Sequence, residues 1–389
     1  MSEHVARPTQ TPGRGLIALT GGEFFCIRCP MRNLGSLASC CFRTIHCFCL
    51  STDPLLEAQE TFSLLLTHSY LSLANFFLFR HASKVSQGGH LACLGLRQHG
   101  LFFPIWTTIS SDLTSQFLSN GQCNDLARGA IRFAFHDAGE YSQNTPWYAP
   151  AAGGADGSLL LAAGEIDRRE NAGLRPFYDW MTGFYPKYSD QVSAADLIQF
   201  AGAHATVTCP GGPAVQVRVG RTDTDQLAPE GLLPPGFGPG SDHDSLLQLF
   251  QEKGFSAADL AALIGAHSAS RAFAQEQNGI PSGGPQDSTP GQLDVKYYSE
   301  TYNPPEGVYR FDSDINLSQR NTSVGSVFQS FVGAHGKWAA AFVGPAAQLS
   351  VLGIPAETVA GFVDCTGALP SGTSAKRDIR ARPINDRIR

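Results

Sequence analysis

From about residue 105 onward, apolar residues recur at helical spacing in blocks separated by polar or Gly/Pro-rich stretches. The pattern predicts helices over 106–118, 124–137, 174–184, 193–203 and 243–253. A further helix is expected over 256–267, and a long late one over 323–344. Ser193 stands as an N-cap before Ala194-Ala195-Asp196, because a serine oxygen there can accept an orphan backbone N–H. Ser256-Ala257-Ala258-Asp259 has the form of a capping box. Only 214–220 reads as a strand, and 349–389 is punctuated by Gly and Pro as a surface wrap would be. The fold class expected is therefore all-α.

Residues 1–103 look different. They show no clear helical period and hold seven of the ten cysteines. The run 61–79 lacks charge and approaches membrane-spanning length, but it also carries His68, Asn75 and several hydroxyl residues. A spanning helix or an internal signal-like segment would each account for it. The favoured expectation is an atypical region, mis-predicted or poorly ordered, standing in place of a cleavable signal peptide. Cys26-x-x-Cys29 has zinc-ligand spacing but no matching second pair.

Composition narrows the function. At 389 residues, 42% apolar and 16% charged, the chain suits a globular protein of two or three compact domains or one large two-lobed one. Its net charge of -6 and lack of a basic block give nucleic-acid binding no electrostatic support. Beyond residue 103 only Cys123, Cys209 and Cys365 occur, as expected for one or two disulfides in an oxidising compartment. Sequons at Asn316 and Asn321 agree with secretion.

The chemistry centres on Arg132-Phe133-Ala134-Phe135-His136-Asp137 and on Ile264-Gly265-Ala266-His267-Ser268. Arg132 and His136 are four apart, so on a helix they share one face. Asp137 turns to another face. Heterolysis of peroxide requires that one oxygen lose a proton and the other gain it. A neutral imidazole can do both in turn, and a guanidinium can stabilise the charge on the departing oxygen. A second histidine, about 130 residues on, would be free to ligate a metal. An isolated Arg-x-x-x-His pair is more often a solvent-facing helix, so the surrounding residues decide.

Those residues resemble the secreted fungal class II haem peroxidases, the lignin, manganese and versatile peroxidase group of the plant-type superfamily. The resemblance covers about 104–389. It implies a two-lobed haem peroxidase fold, with haem b between a distal lobe over 104–253 and a proximal lobe plus C-terminal wrap over 254–389. Arg132, Phe135, His136 and Asp137 match the distal helix; class I relatives carry Trp where this chain has Phe135. Glu170-Asn171-Ala172-Gly173-Leu174 resembles the segment whose Asn accepts a hydrogen bond from the distal His. His267 matches the iron ligand, and Asp314, rather than Asp312, matches the acceptor of its other N–H. Two Ca2+ sites are implied as well. One would be built from Asp137, Gly154, Asp156 and Ser158, the other from Ser268, Asp287, Thr289, Gln292 and Asp294. Cys123 and Cys209 match one of the group's disulfides. Cys365 matches another half-cystine, but its expected partner near Val324-Gly325 is not a cysteine.

The chain departs from its relatives at several positions. Manganese oxidation in the group needs acidic residues eleven and seven before the distal His and six after the proximal one. Here these are Asp125, Gly129 and Phe273. The radical-forming Trp five before the proximal His is replaced by Ala262, and Gln286 stands where relatives carry Phe. The expectation is a secreted, monomeric haem peroxidase. It would use hydrogen peroxide to oxidise small aromatic donors, with no nucleic-acid or membrane partner. The alternative is a weakly active haem and calcium scaffold of the same descent.

Overall fold

In the computed structural model, the described residues are 25–29, 38–43, 46–50, 104–145 and 153–373. The backbone separates into two units, Met1–Gln87 and Gly88–Arg389. In the first, β1 (Phe25–Cys29), β2 (Ala38–Arg43) and β3 (His46–Leu50) form an antiparallel meander in the order β1-β2-β3. These strands were not expected. Segments such as Ala38-Ser-Cys-Cys-Phe-Arg43 lack the strict polar–apolar alternation that marks a strand in sequence. The uncharged run 61–79 lies outside the described residues, as does most of 1–103. Among the described residues no helix is long and apolar enough to cross a membrane.

The second unit is helical. Its first group comprises α1 (Pro104–Phe117), α2 (Asp125–Gly139), α3 (Ser158–Leu161), α4 (Arg175–Phe184) and α5 (Ala194–Thr208). The second comprises α6 (His243–Gln251), α7 (Ala257–Leu263), α8 (Lys296–Glu300), α9 (Asp312–Leu317), α10 (Ser323–Ser330), α11 (His335–Leu349) and α12 (Ala356–Val359). The sheets here are two-residue ladders: β4 (Leu118–Ser119) with β5 (Gln122–Cys123), β6 (Arg218–Val219) with β9 (Val363–Asp364), and β7 (Arg271–Ala272) with β8 (Gly284–Pro285). The strand expected over 214–220 shrinks to β6.

Helix starts follow local chemistry. The Asn124 side chain accepts from Ala127 N at 3.1 Å and caps α2. Ser193 caps α5 through Asp196 N, and Ser256 and Asp259 form the reciprocal capping box of α7. The long helix expected over 323–344 is in fact two. Gly333 adopts φ +69° between α10 and α11, a conformation that glycine accepts without Cβ strain. The apolar period runs through this break, which is why the pattern alone misses it. α11 also continues past Gly344 with Pro345 inside it.

Two packings place the chemistry. α2 lies against α5 so closely that a Cβ at Gly202 would come within 2.5 Å of Ala134 Cβ. Only glycine permits that approach, and it fixes the roll of the helix carrying Arg132 and His136. α7 packs against α10 and α11, and it runs into a 3-10 turn, Ile264–Ala269, that carries His267. A disulfide joins Cys123, at the entry to α2, to Cys209, just past the end of α5.

Candidate active site

Arg132 and His136 face one way on α2, as their spacing requires. Arg132 Nε donates to His136 Nε2 at 3.1 Å. The rest of the guanidinium is anchored by the carbonyls of Ala172, at 3.0 Å, and Glu170, at 3.2 Å. Burial pulls the Arg132 pKa down to about 10, still far above neutrality, so the group remains a cation.

His136 is oriented from its other nitrogen. Asn171 Nδ2 donates to the Glu165 carbonyl at 2.8 Å, which turns Asn171 Oδ1 toward the histidine. His136 Nδ1–H then donates to that oxygen at 2.8 Å, leaving Nε2 as the lone-pair nitrogen. Burial, and next the Arg132 charge, hold the His136 pKa well below its ordinary value. Phe135 sets an edge-on ring 5.6 Å from His136 and stacks on Phe250.

His267 lines the same cavity as His136. Its Nδ1–H donates to Asp314 Oδ1 at 3.1 Å, and Asp314 is fully buried at the start of α9. This places the acceptor role on Asp314, and no such contact involves Asp312 among those seen for His267. Tyr297 and Phe311 present edges to the imidazole at 5.7 and 6.0 Å. This cavity, of about 980 Å³, is lined by Arg132, Phe135 and His136 together with His267 and Phe311. With Nδ1 engaged, His267 Nε2 is the nitrogen that would be available to a metal. The donor set, the volume and the mostly apolar walls suit a flat metalloporphyrin.

The two implied calcium loops lie next to the two histidines. Asp137 is fully buried; Gln199 donates to its Oδ2 at 3.3 Å, and its Oδ1 has no hydrogen-bond partner. Burial, then Asp156 and Glu165, push its pKa well up. An orphaned carboxylate oxygen among other carboxylates is a situation that a cation relieves. Asp156 Oδ1 accepts from Ser158 N, the Gly154 carbonyl accepts from Asp156 N, and the Ser158 hydroxyl turns to Glu165. Gly154 has φ +112° and abuts Leu352, so no side chain fits there. In the second loop Ser268 Oγ bridges Asp287 at 2.6 Å and Asp294 at 3.1 Å, while Thr289 Oγ1 donates to Asp294 at 2.8 Å. Gln292 is half-buried beside them, and its backbone N–H is bonded to the Thr289 carbonyl. Among the described residues no group of three or more His, Cys, Asp or Glu has metal-holding geometry. Each loop offers two carboxylates and otherwise hydroxyls and carbonyls, a donor set for a hard cation such as calcium.

Comparison with known proteins agrees with this geometry. The family model described as "Peroxidase" matches residues 109–333. The chain belongs to the peroxidase family. It is 32% identical over 288 residues to manganese peroxidase H4 of Phanerodontia chrysosporium, covering 67% of this chain and 72% of that protein. It is 29% identical over 292 residues to the peroxidase of Arthromyces ramosus, covering 69% and 76%. A versatile peroxidase of Pleurotus eryngii is 29% identical over 283 residues, covering 67% and 73%. The peroxidase thus falls with the fungal class II haem enzymes, and its mostly helical fold is theirs.

Some contributors were not visible in the sequence reading. Glu165 touches both distal systems: its carbonyl positions Asn171 and its carboxylate accepts from Ser158 and Ala228 N. Asp223 accepts from the first N–H groups of α5 and lies near Asp156. Both bind across long sequence gaps, which local spacing does not reveal. Gln286 stood out only as a departure from the relatives.

Proposed function

We propose that this peroxidase binds haem b between His136 and His267 and oxidises small phenolic or similar aromatic donors with hydrogen peroxide. One peroxide would be reduced to two waters while two donors each lose one electron and one proton. Haem, when bound, supplies the redox centre that passes those equivalents singly. The protein's own part is proton management and charge. His136 Nε2 would take the proton from the near oxygen of peroxide and return it to the far one. Arg132 would stabilise the charge on that far oxygen. His267 would hold the iron through Nε2, its ring oriented by the Nδ1–H bond to Asp314.

The observation that carries this reading is that two imidazoles, each with its tautomer set by a buried partner, line one cavity. Two calcium ions, on the loops adjoining the two histidines, complete the proposal, together with secretion and a monomeric state.

Donor selection follows from the haem-edge positions. Asp125 is committed to Arg128, with Nη2 to Oδ1 at 2.6 Å and Nε to Oδ1 at 3.1 Å. A Cβ at Gly129 would meet Phe177 Cβ at 2.8 Å, so an acidic side chain at 129 would have to displace α4. With Phe273 at the third position, a manganese site is not expected. Ala262 is fully buried, and the Trp that reaches it, Trp338, is buried too, its Nε1–H bonded to the Ala262 carbonyl at 3.0 Å. Small donors would therefore react at the cavity mouth rather than through a surface radical.

The test is direct. Holoprotein should show a Soret band and turn over peroxide with a phenolic dye. His136→Ala should slow peroxide cleavage by about 10²–10⁴-fold while leaving haem bound. Absence of the Soret band, or an unchanged rate in the variant, would overturn the proposal.

A further inference from the structure

Gln286 is a buried polar side chain to which the peroxidase chemistry assigns no task. It is only 1% exposed and directly precedes Asp287 of the second calcium loop. Both ends of its amide are engaged. Its Oε1 accepts from Ser270 Oγ–H at 2.6 Å, and its Nε2 donates to Asp314 Oδ2 at 2.7 Å. The Asp314 carboxylate can only accept, so it fixes the amide with Nε2 toward itself and Oε1 toward Ser270. Asp314 therefore receives His267 Nδ1–H on Oδ1 and, on the opposite oxygen, Gln286 Nε2 at 2.7 Å with Phe311 N at 3.3 Å.

Gln286 Nε2 also lies 3.3 Å from His267 Nδ1. This is not a second hydrogen bond in the ligating state. Were Nδ1 the acceptor, the imidazole proton would sit on Nε2, and no lone pair would face a metal. The short separation reflects two N–H donors converging on one carboxylate.

We propose that Gln286 is a positioning residue that tunes the axial ligand, an inference resting on the haem reading above. A carboxylate oxygen that accepts a short amide hydrogen bond carries less charge to share with its other partner. Asp314 then pulls less on the His267 proton, and the imidazole donates less electron density to the iron. An apolar side chain at 286 would remove the shortest donor to Asp314 Oδ2 and leave the weaker 3.3 Å contact from Phe311 N. The carboxylate would turn its charge toward His267, the ligand would become more imidazolate-like, and ferric iron would be favoured over ferrous. The chain thus carries a built-in upward adjustment of its Fe(III)/Fe(II) potential, set through Ser270, Gln286 and Asp314.

The experiment measures the midpoint potential of the holoprotein by spectroelectrochemistry and the Fe–His stretching band of its ferrous form by resonance Raman. Gln286→Leu should favour Fe(III) by about tenfold, equal to a potential ~59 mV more negative, and should raise the stretching frequency. Ser270→Ala, which frees the amide without removing it, should move both readouts the same way by less, and it carries the test alone if Gln286→Leu does not fold. Wild-type values in haem-bound variants, or a shift of the opposite sign, would overturn the inference and leave the functional reading standing. Haem that binds the wild type without ligation by His267 would overturn both.

Discussion

Two neighbours act on the His136 ring in opposite senses. Arg132 disfavours a second proton on it, and Asn171, as acceptor of Nδ1–H, favours one. Burial comes first among the causes and sides with Arg132, so the net shift is downward. The base form should therefore survive acidification through the ordinary histidine range near 6.5. The rate of peroxide cleavage is expected to stay flat as pH falls through 6.5, with its acid limb at lower pH. Arg132→Leu should move that limb upward. A stopped-flow pH profile decides; a wild-type limb at or above 6.5, or one unmoved in the variant, contradicts the electrostatic account. Stability has the same sign. An unfolded histidine takes up a proton near 6.5 while the folded one resists, so stability is fully present above that pH and is lost as pH falls toward the folded value. His204, pushed down to about 4 mainly by burial, adds to this acid sensitivity.

α2 and α5 form the element pair on which distal geometry depends, and the Cys123–Cys209 disulfide ties the start of one to the end of the other across 86 residues of chain. Cross-linking so long a loop restricts the unfolded chain, and its loss is expected to cost about 2–5 kcal/mol. A Cys123→Ala/Cys209→Ala double variant should show that loss in denaturant unfolding, while its peroxide rate at low temperature stays within about threefold of wild type. The Arg132–His136–Asn171 contacts do not pass through the sulfurs, and a large fall in rate without loss of stability would contradict this division. How much of this was legible beforehand depends on range. Caps at Ser193 and Ser256 and the shared face of Arg132 and His136 are local, so spacing revealed them. The break at Gly333 was hidden because apolar spacing continues across it, and the one-turn helices α3, α8, α9 and α12 are too short to show a period. The partnership of Asn171 with Glu165, and that of Gln286 with Ser270 and Asp314, arise from chain folding back on itself. Resemblance to relatives supplied Asn171 and Asp314, but nothing in the spacing could supply Gln286's partners.

Across the whole second unit, each of the two cavity-lining histidines is chained to a loop rich in oxygen donors. Asp137 follows His136 directly, and Ser268 follows His267. Asp137, buried with one oxygen orphaned, adjoins His136; Ser268, clamped between Asp287 and Asp294, adjoins His267. If calcium occupies these loops, its removal should act on both walls of the cavity at once. An ion present at about 1,000 times its dissociation constant stabilises the folded state by about 4 kcal/mol. For a unit of this size, stripping one such ion corresponds to a fall in Tm on the order of 10 °C. Calorimetry of the holoprotein with EGTA should show that fall, and added Ca2+ should reverse it. The Soret band should shift in the same titration, because the freed carboxylates no longer hold the ends of α2 and of the His267 turn in place. A Tm unchanged within about 2 °C, or a Tm that falls while the haem spectrum stays constant, would mean that the loops do not support the two histidines as proposed.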